Sequence, residues 1–165
     1  MSTEPASGVD PTRREPPVSP ESAPFWEATR QGIFLLQWCE DCRRPVFYPR
    51  AICPRCSTPA AAMTWREASG RGTVHAAVVE HRPERVGAAF AGGQPYCVAL
   101  VDLEEGVRVM TNVVGCAPDD VHAGMAVALA WEPLSDGRQL PLFQPVPSGE
   151  PAAAVENVVV EDTAR

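Results

Sequence analysis

Apolar positions in this chain fall into short runs broken by turn residues, and the period of the pattern changes once. Ser22–Gly32 reads as a short helix. Ser22 stands at the cap, Pro24 falls in the first turn, where its missing N–H is harmless, and Gly32 marks the stop. Phe25 and Trp26, with Ala28 and Thr29, cover one side. A helix of about ten residues is marginal alone, so these aromatics must bury against something. That can be a partner protein, or the adjoining segment. The next run, Ile33–Trp38, is continuously apolar and predicts a strand leading into a cysteine cluster.

Beyond that cluster the period becomes that of strands. Thr73–His81, Tyr96–Leu103, Val107–Val114, Met125–Trp131 and Leu140–Val146 are predicted strands. The acidic turn Asp102-Leu103-Glu104-Glu105-Gly106 joins the second and third into a hairpin. Cys116–Gly124, with its Pro and two Asp, predicts a short helical turn. Five strands in about 75 residues predict a small barrel. The fold class expected is mostly β, in the order helix, ribbon, barrel.

The two ends differ from this core. Residues 1–21 hold Pro at 5, 11, 16, 17 and 20 and no aromatic side chain. Such a segment buries too little apolar surface to offset its ordering entropy, so a disordered arm is expected. Residues 147–165 form a similar acidic tail, in which Val158–Val160 could be a short strand or a docking peptide. The domains expected between them are 22–66, helix and ribbon, and 67–146, the barrel.

Charge narrows the function. The chain of 165 residues has a net charge of -7, but each arm holds four acids, against two Arg in the first and one in the second, so the core is close to neutral. A general phosphate-backbone binder usually shows a basic stripe. No run approaches the roughly 18 apolar residues that span a bilayer, and the N-terminus lacks the basic start and apolar stretch of a signal peptide. A cytoplasmic protein without membrane contact is therefore expected, and there clustered cysteines bind metal more often than they pair.

Cys39-Glu40-Asp41-Cys42, ten residues, then Cys53-Pro54-Arg55-Cys56 gives two CxxC knuckles. Each knuckle presents two thiolates to one ion, and two of them complete a tetrahedral sulfur site suited to Zn²⁺. Four protein ligands leave no position for water or substrate, so the expected role is structural. A rubredoxin-like iron site would use the same ligands and carry electrons. Against it, Arg43 and Ser57 stand where redox knuckles commonly place Gly. Cys97 and Cys116 lie in apolar runs and read as small core residues. His75 and His81, six apart on one strand, share a face if the strand is regular; rim or satisfied core positions are the plainer explanation. Gly70-Arg71-Gly72 offers flexible backbone donors and one guanidinium to an anion, or simply a tight start to the first barrel strand. No nucleophile elbow, P-loop or HExxH occurs, and no catalytic residue is assigned.

These residues, taken in order, resemble the zinc-ribbon/OB-fold family once catalogued as domain of unknown function thirty-five. The resemblance is carried by Phe25-Trp26-Glu27, the two knuckles, Phe47-Tyr48-Pro49-Arg50, Trp65, and Ser69-Gly70-Arg71-Gly72-Thr73-Val74. It continues through Pro95-Tyr96, Ala99-Leu100-Val101, Glu105-Gly106-Val107-Arg108 and Gly124-Met125-x-Val127, across about residues 24–145. It implies a rubredoxin-like zinc ribbon followed by a five-stranded OB-fold barrel. It also implies a role as companion subunit of a thiolase-fold acyl-CoA enzyme, either a thiolase or a lipid-transfer-protein-like aldolase of the kind that shortens steroid side chains. In such a hetero-oligomer the small subunit helps to form or order the acyl-CoA site. Arg71, Arg82, Arg85 and Arg108 are the candidate contacts for CoA phosphates. The long loop Arg82–Gly93, rich in Gly and Ala, is a candidate lid or partner contact. The competing reading is a nucleic-acid-binding OB-fold. It needs a basic groove with stacking aromatics, and the barrel offers few: Phe90, Tyr96, Trp131 and Phe143.

Overall fold

A computed structural model of the chain describes residues 15–81 and 94–146. Helix α1 spans Ala23–Thr29, shorter than its sequence signal. Its Ser22 makes no side-chain cap bond; the hydroxyl instead donates to the Ser19 carbonyl at 3.2 Å. The helix stops where Gly32 takes a φ of 73°. Its last carbonyls are met from the barrel: the Gln139 side-chain amide donates to the Thr29 carbonyl at 3.0 Å.

Strands β1 (Leu35–Cys39), β2 (Arg44–Val46) and β3 (Met63–Glu67) form a three-stranded antiparallel sheet in the order β2-β1-β3. This is the ribbon. Strands β4 (Arg71–Glu80), β5 (Tyr96–Leu103), β6 (Arg108–Val113), β7 (Ala126–Pro133) and β8 (Gln139–Pro145) close a barrel in the order β4-β5-β6-β8-β7. The five-stranded barrel is therefore as expected, with a 3₁₀ turn at Pro118–Asp120 where a helical turn was predicted. Alternation decides which side chains face inward. Along β5, Cys97, Ala99, Val101 and Leu103 are buried and the residues between them are not.

Two apolar clusters result. The larger unites the barrel interior with Phe25, Trp26, Phe34 and Leu36; the smaller surrounds the thiols with Val46 and Met63. Phe25 lies edge-on to Trp26, Phe34 and Phe47, with ring centroids 5.0, 5.7 and 5.7 Å away. Such pairs add to the large apolar area these rings already bury. The helix aromatics thus seal ribbon to barrel, which corrects the idea that they wait for a partner: Phe25 is 2% exposed and Trp26 9%.

Candidate functional site

The first knuckle is the turn between β1 and β2, and the second follows at Cys53–Cys56. They bring four sulfurs together. Cys39 Sγ lies 3.4 Å from Cys56 Sγ, Cys42 Sγ lies 3.7 Å from Cys53 Sγ, and all four are within 4.8 Å of one another. A tetrahedron with metal–sulfur bonds of about 2.3 Å has edges of about 3.8 Å. The thiols therefore fit Zn²⁺ with little movement. Without a metal, burial, then the neighbouring thiols, pushes the Cys42 thiol up to about 12. Backbone N–H groups of Arg55 and Cys56 lower Cys53, and Thr58 lowers Cys56.

Polar residues around the knuckles hold them in register. The Thr58 hydroxyl donates to Asp41 Oδ2 at 2.5 Å and lies 3.1 Å from Cys56 Sγ. Asp41 belongs to one knuckle and Thr58 follows the other, so this bond braces the two. The Cys53 N–H donates to the Thr58 carbonyl at 2.8 Å. Buried Gln37 accepts from the Arg50 N–H at 2.7 Å and donates to the Arg50 carbonyl at 3.2 Å, fixing the loop that carries Tyr48. Outside, Glu40 accepts from Thr64 and Arg66, which hold its carboxyl below the ordinary range. None of these outer partners has a signal in spacing; each is recognised only by contact.

The candidate cationic contacts fare differently from one another. Arg71 begins β4, half-buried, and its guanidinium makes no ion pair among the described residues. The glycines beside it answer to packing. A Cβ on Gly72 would lie 2.6 Å from Val101 Cγ1 and 2.7 Å from the Asp102 carbonyl oxygen, and one on Gly70 would meet Leu129 at 2.9 Å. The tight strand start therefore accounts for both glycines. Glu105 supports the same segment from the hairpin turn: its Oε1 accepts the Ser69 N–H at 2.5 Å, while its Oε2 is buried with no hydrogen-bond partner among the described residues. Arg108 is engaged, donating through Nε and Nη2 to the two Asp102 oxygens at 2.6 and 3.0 Å. Arg82 and Arg85, with the loop 82–93, lie outside the described residues.

His75 and His81 do not pair. The β4–β5 register shifts between Val74 and Ala76, leaving His75 as the extra residue of a bulge, and this breaks the even spacing that would align the two rings. His75 instead joins Asp102 and Arg108, at 3.2 and 2.9 Å, and His81 faces Asp119 at 3.7 Å. Cys97 is buried, and burial followed by the charge of Cys116 pushes its thiol up, as suits an inert core residue. Among the described residues no helix is long and apolar enough to cross a membrane.

Comparison with known proteins fits this arrangement. The family model for the ChsH2 rubredoxin-like zinc ribbon domain matches residues 26–60, and that for the ChsH2 C-terminal OB-fold domain matches 65–132. A probable enoyl-CoA hydratase alpha subunit of Thermomonospora curvata is 38% identical over 141 residues, 84% of this chain and 42% of that one. The 3-oxo-4,17-pregnadiene-20-carboxyl-CoA hydratase alpha subunit of Mycobacterium tuberculosis is 33% identical over 131 residues, 72% of this chain and 39% of that one. The chain thus spans about two-fifths of the length of these subunits. Among solved structures, one described as an Ltp2-ChsH2(DUF35) aldolase superposes with a TM-score of 0.68 at 36% identity, over 79% of this chain and 98% of that chain.

Proposed function

We propose that this chain, which belongs to the ChsH2 (DUF35) family of zinc-ribbon and OB-fold proteins, is a non-catalytic accessory subunit of a thiolase-fold acyl-CoA enzyme. The observation that carries this reading is the match, over nearly the whole length of its counterpart, to the ChsH2 chain of an aldolase described with Ltp2. The partner would be a thiolase or lipid-transfer-protein-like aldolase bound in a hetero-oligomer, in the cytoplasm. The hydratase relatives, one named for a steroid-derived CoA ester, support an acyl-CoA setting and make a steroid side chain the acyl group to test first.

In this role Cys39, Cys42, Cys53 and Cys56 hold a structural Zn²⁺. The ion supplies folding free energy to the ribbon and leaves no coordination position for substrate. Arg71 is the leading contact for a CoA phosphate, because its guanidinium pairs with no carboxylate among the described residues. Arg108 could serve only by exchanging its Asp102 bonds for phosphate oxygens; Arg82 and Arg85 remain candidates on sequence alone.

The test is affinity purification of the tagged chain from its own host, with mass spectrometry of what co-elutes. A stoichiometric thiolase-fold protein, whose acyl-CoA turnover falls when this chain is removed, is the expected result. A chain that elutes alone, or binds single-stranded DNA at low salt instead, overturns the reading. Within the complex, Arg71→Ala should weaken CoA-ester affinity and leave zinc content unchanged.

A further inference from the structure

Between helix, ribbon and barrel lies a cavity of about 390 Å³ that neither the thiols nor the arginines explain. Phe25, Phe34 and Phe143 line its depth, and Tyr48 and Met110 stand at its rim, 49% and 60% exposed. Among the described residues no charged side chain lines it. The Tyr48 hydroxyl already donates to the Met110 carbonyl at 3.2 Å, so the rim presents mainly carbon. The volume falls within the roughly 300–1,000 Å³ of small-molecule sites.

One wall is not scaffold. Pro16, Pro17 and Ser19, from the extended segment ahead of α1, close the cavity from outside. A latch on the β7–β8 turn holds that segment down. Arg138, with its side chain 7% exposed, donates from Nη1 to the Pro16 carbonyl at 2.9 Å and faces Glu15 at 3.8 Å. Its Nε is fixed by Asp136 at 2.6 Å, and its guanidinium lies 4.9 Å from the Trp26 ring centre. Glu15 in turn accepts the Ser135 N–H at 2.6 Å. Asp136 and Trp26 thus fix the buried guanidinium, and its remaining Nη groups turn to Glu15 and Pro16 and hold that passing segment in place.

We propose that this cavity binds an uncharged apolar chain or ring, and that Glu15–Ser19 is the strap that closes over it, latched by Arg138. The lining selects the ligand, because a charge placed there would lose its water and gain no partner. The strap selects its size: a small molecule is enclosed beneath it, whereas a folded partner could reach the cavity only by displacing it. The inference concerns the chain by itself and stands apart from the accessory-subunit reading.

The full-length, zinc-loaded chain is titrated with N-phenyl-1-naphthylamine, an uncharged fluorophore that brightens in apolar surroundings, and 1-decanol is used as competitor. Saturable binding of one probe per chain, displaced by decanol, is expected. Met110→Glu puts a charge on an exposed rim position that the fold tolerates, and should weaken the probe about tenfold or more. A signal that does not saturate, or that Met110→Glu leaves unchanged, overturns the site. Deleting residues 1–19, or Arg138→Gln, should speed probe entry and exit severalfold in stopped flow. Arg138→Gln also strips a contact from Trp26, so zinc content and Tm are measured alongside. The deletion leaves the barrel intact and decides the strap: wild-type rates in it overturn that part.

Discussion

At the scale of single residues, backbone geometry separates positions that want Gly from those that only look as if they do. Arg43 and Ser57, each just after the second cysteine of its knuckle, adopt φ of 51° and 63°. That left-handed region costs an L-residue about 1–2 kcal/mol. It is held here because the turn must bring the knuckle back on itself, with the Ser57 N–H donating to the Cys53 carbonyl at 3.0 Å. Ser57→Gly should therefore stabilise the zinc-loaded protein by about 0.5–1 kcal/mol, after glycine's extra freedom in the unfolded chain is set against the strain. A denaturation midpoint at or below wild type would show that no strain is stored there. Gly72 presents the opposite case. Its missing Cβ makes room for a backbone carbonyl that cannot yield, so Gly72→Ala should cost about 1–3 kcal/mol, as overpacking does. Chemical denaturation measures it directly. The sequence shows a Gly at 72 and none at 43 or 57; only the close approach and the dihedral say which of these residues is under constraint.

At the scale of elements, pairing decides what pattern cannot. β2 is only three residues long and β3 alternates only over Met63–Arg66, too briefly to mark either as a strand; Gln37–Cys39 and Leu35–Cys39 of β1 give them partners. β4 starts at Arg71, two residues earlier than its apolar run, because Arg71–Thr73 pair with β7 across the barrel seam. The cysteine cluster was legible for the opposite reason, since a metal knuckle is a local device of four residues. Thr58, Gln37 and Arg138 were not legible, because each acts on residues distant in the chain. Two predictions belong here. Cys53→Ser removes one of four thiols, so zinc content should fall and amides of β1–β3 should exchange faster, while the barrel, with its separate cluster, keeps its protection. Equal protection in both would show that the ion is not what holds the ribbon. On the β5–β6 hairpin, Arg108 beside Asp102 holds that carboxyl below its ordinary 3.8. A depressed folded pKa means that the pair contributes stability above the unfolded value and loses it as pH falls through the folded one. Both side chains are nearly half exposed, so the contribution is small. In Arg108→Ala, NMR titration should find Asp102 moved up toward 3.8, with stability at neutral pH almost unchanged.

At the scale of the whole molecule, the question is what joins the two sheets into one body. Phe25 answers it. Its ring meets Phe34 ahead of β1, Phe47 after β2 and Trp26 of its own helix, and the cluster continues into the barrel through Val109, Val113 and Phe143. An aromatic residue on a short helix has two possible fates, an interface or a core, and they predict different failures. At an interface, truncation would leave the isolated chain's Tm alone and weaken only the complex. In a core, truncation leaves a void and costs the chain itself about 3–5 kcal/mol. Phe25 is 2% exposed in the isolated chain, so Phe25→Ala should lower Tm by many degrees before any partner is added. It should also loosen α1 and β1 together, since both lose the same contact. An unaltered Tm, with binding to a co-purified partner reduced, would return Phe25 to the interface and leave the ribbon–barrel junction to other residues.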